Sequence, residues 1–177
     1  MQADIKIHGK KILPHKKISK VKLERIISTI CIYINSPDTK FGAITFINDA
    51  ALRKQLLPLA NNNVKIREAV YLILFYTWET VEPNETFLPG QGCPLTIQPK
   101  KDKKKVISST KLPGASFILK VQNTYQAAGA GLKAAANERI DASLIEDLHY
   151  NKVDKLLQLK KKGLRSIAFL TLGNSCN

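Results

Sequence analysis

Thr124-Tyr125-Gln126-Ala127-Ala128-Gly129-Ala130-Gly131-Leu132-Lys133-Ala134-Ala135-Ala136 is an unusual run for a soluble chain. Alanine is the strongest helix former, so a helix is expected through this run, from Phe117 to Arg139. Each of its two glycines costs about 1 kcal/mol against alanine inside a helix. Such a cost makes sense where another backbone packs closely against the bare Cα. The run therefore reads as a packing surface rather than a cofactor box.

Outward from this helix, periodicity and punctuation mark the other elements. Downstream, residues 143–145 suit a short strand, and residues 151–159 suit an amphipathic helix with Val153, Leu156 and Leu157 inward. Gly163 ends the helical stretch, and residues 166–172 form a last apolar strand. Upstream, residues 79–114 are rich in proline, glycine and lysine and show no clear period, which suggests a long basic loop or insertion. The continuous apolar run at 69–76 predicts a strand buried on both faces, preceded by a loop at Asn61-Asn62-Asn63. Asp49 caps a helix with Leu52, Leu56 and Leu59 on one side, and residues 43–47 read as a strand. Ser19 caps a first helix whose apolar face is Leu23, Ile26, Ile27, Ile30 and Ile34, and Asn35-Ser36-Pro37-Asp38 stops it. Helices alternate with strands over uneven connections. The class is α+β or α/β, most simply a layered sandwich in a single domain spanning 1–177.

Apolar residues make up 44% of the 177, enough for a sizeable core. The longest apolar run is too short to span a bilayer, and no secretory signal pattern opens the chain. Cys31, Cys93 and Cys176 give no metal spacing, and their odd count argues against a disulfide framework, so a reduced, cytoplasmic setting is expected. Cys31 reads as a core residue, and His8, His15 and His149 as surface residues without metal-ligand spacing. The net charge of +14 permits an anionic partner: nucleic acid, an anionic membrane or a phosphorylated cofactor. The dense lysine run at 100–105 carries no interleaved aromatics, and no recognition-helix, zinc-finger or RRM pattern appears. A solvated basic loop is the better reading of it, and nucleic acid is not an expected partner.

Three segments, in order, carry a family resemblance: residues 124–132, then Ile140-Asp141-Ala142-Ser143-Leu144-Ile145-Glu146, then Leu159-Lys160-Lys161-Lys162-Gly163-Leu164-Arg165-Ser166. Together they resemble the C-terminal half of the FMN-dependent nitroreductase and flavin reductase family. Lys16-Lys17-Ile18-Ser19 before the first helix, and Asn62, Lys65 and Ala69 before the buried strand, are similar to the first half. The resemblance implies a nitroreductase-like α+β sandwich with a central mixed sheet flanked by helices. It also implies an FMN-containing homodimer that takes electrons from NADH or NADPH and passes them, in ping-pong fashion through flavin N5, to a nitroaromatic or a quinone.

Carried over by position, the resemblance assigns Lys6 and Lys10 to the cofactor phosphate and ring, with His8 between them. Asn62 and Lys65 fall near the flavin ring, where a cation stabilises the charge of reduced flavin. Leu144, Ile145 and Glu146 stand where the family places a segment over the isoalloxazine, with the Glu146 backbone N–H facing N5. Ser36 is the clear match in the family's Pro-Ser-Ser-x-Asn-x-Gln-Pro-Trp loop, and Asp147 replaces the glycine after the glutamate. No residue is assigned as a catalytic acid, base or nucleophile, because the flavin itself carries the redox chemistry. The alternative is a degenerate relative that keeps the fold as a non-catalytic binding or scaffold protein.

Overall fold

The structure, a computed structural model, describes residues 18–34, 42–79 and 117–174. The expected sites Lys6, His8, Lys10 and Ser36, and all but the first residue of the expected insertion at 79–114, lie outside these residues. In chain order the elements are α1 (Lys20–Ile34), β1 (Gly42–Phe46), α2 (Ala50–Leu56), α3 (Lys65–Glu68), β2 (Tyr71–Trp78), α4 (Phe117–Asn137), β3 (Ile140–Ile145), α5 (Tyr150–Leu156) and β4 (Leu164–Asn174). Short 3-10 turns occupy Leu57–Ala60 and Lys160–Lys162.

The strands form one sheet in the order β1-β2-β4-β3. Every described pairing is antiparallel, so the mixed character expected of the sheet does not appear among the described residues. The reason lies in the crossover through α4. It makes β2 and β3 run in the same direction, as alternating helices and strands suggest, but β4 lies between them and runs the opposite way. Helices on both faces of this sheet give the α+β layers that the sequence implies.

The central strand β2 explains the two cores. Ile73 and Phe75 point to the α1/α4 face, while Leu72 and Leu74 point to the opposite face, and all four are fully buried. Burial of each such side chain contributes about 1.5–3 kcal/mol relative to exposure. On the first face, Ile26, Ile27, Ile30 and Ile34 of α1 form the stripe expected from their spacing. Ser19 caps this helix, its Oγ accepting from the Lys22 N–H at 3.4 Å. At the far end of α4, Lys22 Nζ donates to the Glu138 carbonyl at 2.7 Å, and Arg25 pairs with the Glu138 carboxylate at 3.2 Å. The two helices therefore run antiparallel.

Their contact answers the question raised by the glycines. A Cβ on buried Gly131 would lie 2.8 Å from Ile30 Cδ1 and 3.1 Å from Leu170 Cδ2. The close neighbours are side chains of α1 and β4, rather than the backbone expected from the sequence. Gly129 is exposed and faces open space. Cys31 is half-buried and packs against this core, as its place on the first helix predicts, but it is disulfide-bonded, which corrects the expectation of reduced cysteines. An odd cysteine count leaves room for one bridge.

On the second face, Leu56, Ile66, Val153 and Phe169 join Leu72 and Leu74. Asp49 caps α2, accepting from the Ala51 N–H at 2.8 Å. Arg53 on α2 donates to the Ile47 carbonyl at 2.7 Å and the Ala69 carbonyl at 2.6 Å, tying the end of β1 to the start of β2. Burial lowers its pKa from the ordinary arginine value. Fully buried Asp154 of α5 accepts from the Ser166 N–H at 2.8 Å and the Ser166 hydroxyl at 2.6 Å. Arg165 Nε lies 2.7 Å from Asp154 Oδ2, an ion pair without hydrogen-bond alignment, and its other arm meets Glu79 at 2.7 Å.

Candidate functional site

The polar residues of interest gather at β3, one of the two edge strands of the described sheet. Alternation along this strand sends Ile140, Ala142 and Leu144 to the α1/α4 face and Asp141, Ser143 and Ile145 to the other. Leu144 accordingly packs against the α1/α4 core. Ile145 is 4% exposed and packs in the second core, so its side chain serves packing. Glu146, just past the strand, is exposed.

The asparagine turn arrives beside this edge for a backbone reason. Asn61 and Asn62 adopt left-handed φ values of 49° and 56°, a region that asparagine tolerates better than most residues. Asn62 donates its N–H to the Leu57 carbonyl at 2.9 Å, and its side chain is exposed. Asn63 Oδ1 accepts from the Lys65 N–H at 3.1 Å, fixing the start of α3. From there Lys65 reaches β3, and its Nζ donates to Ser143 Oγ at 2.5 Å. The loop after β3 is joined to the same turn, since the His149 N–H donates to the Leu59 carbonyl at 2.8 Å. Leu59 and Lys65, on either side of the asparagine turn, are thus joined to His149 and Ser143, on either side of the Leu144–Glu146 segment.

Three further groups lie beside these residues. The Tyr150 hydroxyl donates to the Glu146 carbonyl. Tyr125, from α4, is pushed up to about 12, first by burial and then by Tyr150 and Glu146 at its hydroxyl. Asp141 Oδ2 is buried and has no hydrogen-bond partner. Sequence reading missed Ser143, Asp141, Tyr125 and Tyr150. The alternation of Asp141, Ala142, Ser143 and Leu144 does signal a polar strand face, but nothing in the sequence pairs the two tyrosines. Among the described residues, no group of histidine, cysteine and carboxylates suits a metal ion. No helix there is long and apolar enough to cross a membrane.

No family model matches the sequence, and no curated protein matches it. Solved structures do. Nitroreductase A from Vibrio parahaemolyticus superposes with a TM-score of 0.67 at 19% identity, over 95% of this chain and 64% of that one. The fold is the nitroreductase fold. The NfrA1 protein of B. megaterium gives a TM-score of 0.68 at 19% identity, over 95% of this chain and 62% of that one. The NADPH:FMN oxidoreductase from Vibrio harveyi, solved with NAD+, gives 0.67 at 17% identity, with coverage of 95% and 64%. This chain therefore spans less than two thirds of these nitroreductase-fold structures.

The donor set at β3 fits the polar edge of an isoalloxazine. Such a ring presents carbonyl acceptors and one N–H donor at its pyrimidine end. Lys65 offers ammonium protons beyond the one given to Ser143, and Asp141 offers a buried acceptor that lacks a donor.

Proposed function

We propose that this chain is an FMN-dependent oxidoreductase of the nitroreductase type. One observation carries the reading: the asparagine turn and the end of β3 are held together through Lys65–Ser143 and His149–Leu59. These are two of the three regions that the family resemblance assigns to the flavin, and the third, around Lys6, His8 and Lys10, is not among the described residues.

When bound, FMN would take electrons from NADH or NADPH and pass them to a nitroaromatic or quinone in two half-reactions. The protein's own contribution is binding and electrostatics. The Lys65 ammonium opposes negative charge that builds at the pyrimidine end of the ring, a stabilisation strengthened by its fixed position. Asn62 adds an exposed amide beside it. The Glu146 backbone N–H serves as a donor that does not depend on the side chain. Lys6 and Lys10 supply positive charge for the phosphate, His8 lies between them, and Ser36 adds a hydroxyl. Leu144 and Ile145 set the strand backbone by filling the two cores on either side of it. The active form is a homodimer, supported by the exposed apolar side chains Phe117, Ile118 and Leu119 at the start of α4.

The test is a flavin titration of the purified chain. Uptake of FMN with quenched flavin fluorescence is the expected result, and a preparation that takes up none removes the reading. A second reading, a non-catalytic scaffold with this fold, is favoured by the burial of Ile145 and by Asp147 in place of the family's glycine. Turnover of a quinone with NADPH rules it out.

A further inference from the structure

We propose that Ser143 is a positioning residue that holds the Lys65 ammonium toward the cofactor, an inference that rests on the FMN reading above. A lysine side chain has four rotatable bonds and carries about 2 kcal/mol of rotamer entropy, so an untethered lysine spreads its charge over many places. Here the residue is tied at its backbone and at the tip of its side chain. The Lys65 N–H is taken by Asn63 Oδ1, and its carbonyl accepts from the Ala69 N–H at 3.0 Å. At the other end, Nζ donates to Ser143 Oγ at 2.5 Å.

The anchor is itself rigid. Ser143 stands opposite Thr171 in the β3–β4 ladder, and Thr171 Oγ1 donates to the Ser143 carbonyl at 3.1 Å. Serine uses one lone pair of its hydroxyl on Lys65 and adds no charge. The ammonium therefore keeps its full positive field and its remaining protons for a ligand. A carboxylate at the same place would neutralise that field. The nearest candidate by strand face, Asp141, lies two residues away along β3 and makes no ion pair with Lys65. This arrangement orients a cation without spending its charge.

The experiment compares wild type with Ser143→Ala, Ser143→Val and Ser143→Thr. FMN affinity is read by fluorescence quenching and the bound flavin's midpoint potential by spectroelectrochemistry. Loss of one charge-assisted hydrogen bond should weaken FMN binding roughly three- to tenfold and make the potential more negative, because a loosened cation stabilises reduced flavin less. Ser143→Thr, which keeps the hydroxyl, should restore both. Ser143→Val suits a strand while removing the acceptor, and gives the same comparison if the alanine variant does not fold. Unchanged affinity and potential in the variants that lack the hydroxyl overturn the proposal and leave the cofactor reading standing. A wild-type chain that binds no FMN overturns the cofactor reading instead. Acylation of Lys65 in the apo-protein, mapped by mass spectrometry, then decides the positioning claim alone: faster labelling in Ser143→Ala supports it, and equal labelling overturns it.

Discussion

Gly129 and Gly131 sit two residues apart on the same helix and should respond in opposite ways to alanine. At Gly131 the new methyl meets Ile30 and Leu170 inside normal contact distance, so Gly131→Ala is expected to destabilise by about 1–3 kcal/mol through overpacking, despite the better helix former. At Gly129 no described residue lies within 4 Å of the new methyl, and the gain in helix propensity predicts up to about 1 kcal/mol of stabilisation. Urea unfolding of the two variants checks both signs. Tyr125 gives a prediction in pH. Its folded pKa, about 12, lies above the ordinary value of 10.0, so the neutral phenol is favoured by folding. The associated stability is complete below pH 10 and is lost as pH rises toward 12. Burial raises Tyr76 as well, so tyrosinate absorbance should extend to high pH, and Tyr125→Phe should reduce, not abolish, the late-ionising absorbance.

At the scale of elements, a fully buried carboxylate, Asp154, ties α5 to β4 beside the apolar packing of Val153 and Phe169. Asp154→Ala removes the acceptor for the Ser166 N–H and hydroxyl and the ion-pair partner of Arg165. The expected cost is about 3–5 kcal/mol, seen as a lower urea midpoint with little change in slope. Helices were the legible part of this fold. The isoleucine spacing of α1 and the small-residue run of α4 each dominate their segments, so local pattern alone predicts them. Strand limits were less legible. Residues 143–145 read as a strand, yet β3 begins at Ile140, because pairing with β4 extends it through Asp141 and Ala142, whose side chains favour strands only weakly. Strand order was not legible, since β2 and β4 are both apolar runs and nothing local tells which neighbour each will choose. In the candidate site, Asn62 and Lys65 are proposed from residue types that resemble a family pattern. Ser143 was not legible, because its partner is remote in sequence and the contact exists only after folding.

At the scale of the molecule, the start of α4 leaves Ile118 at 69% and Leu119 at 43% exposure, and the end of α1 leaves Ile32 at 71%. If α4 lies at the core of a homodimer, as proposed, light scattering should give twice the chain mass. Ile118→Asp should shift the species toward monomer while near-ultraviolet signals of the core persist.

The placement of β4 has a consequence for how the chain is made. This strand follows every other described element, yet it sits in the middle of the sheet. Until it leaves the ribosome, β2 and β3 each expose a long unpaired edge, the kind of surface that invites adhesion between nascent chains. Emergence of β4 therefore acts as a zipper slider, and a chain cut short before Leu164 would yield material that needs a chaperone to stay dispersed.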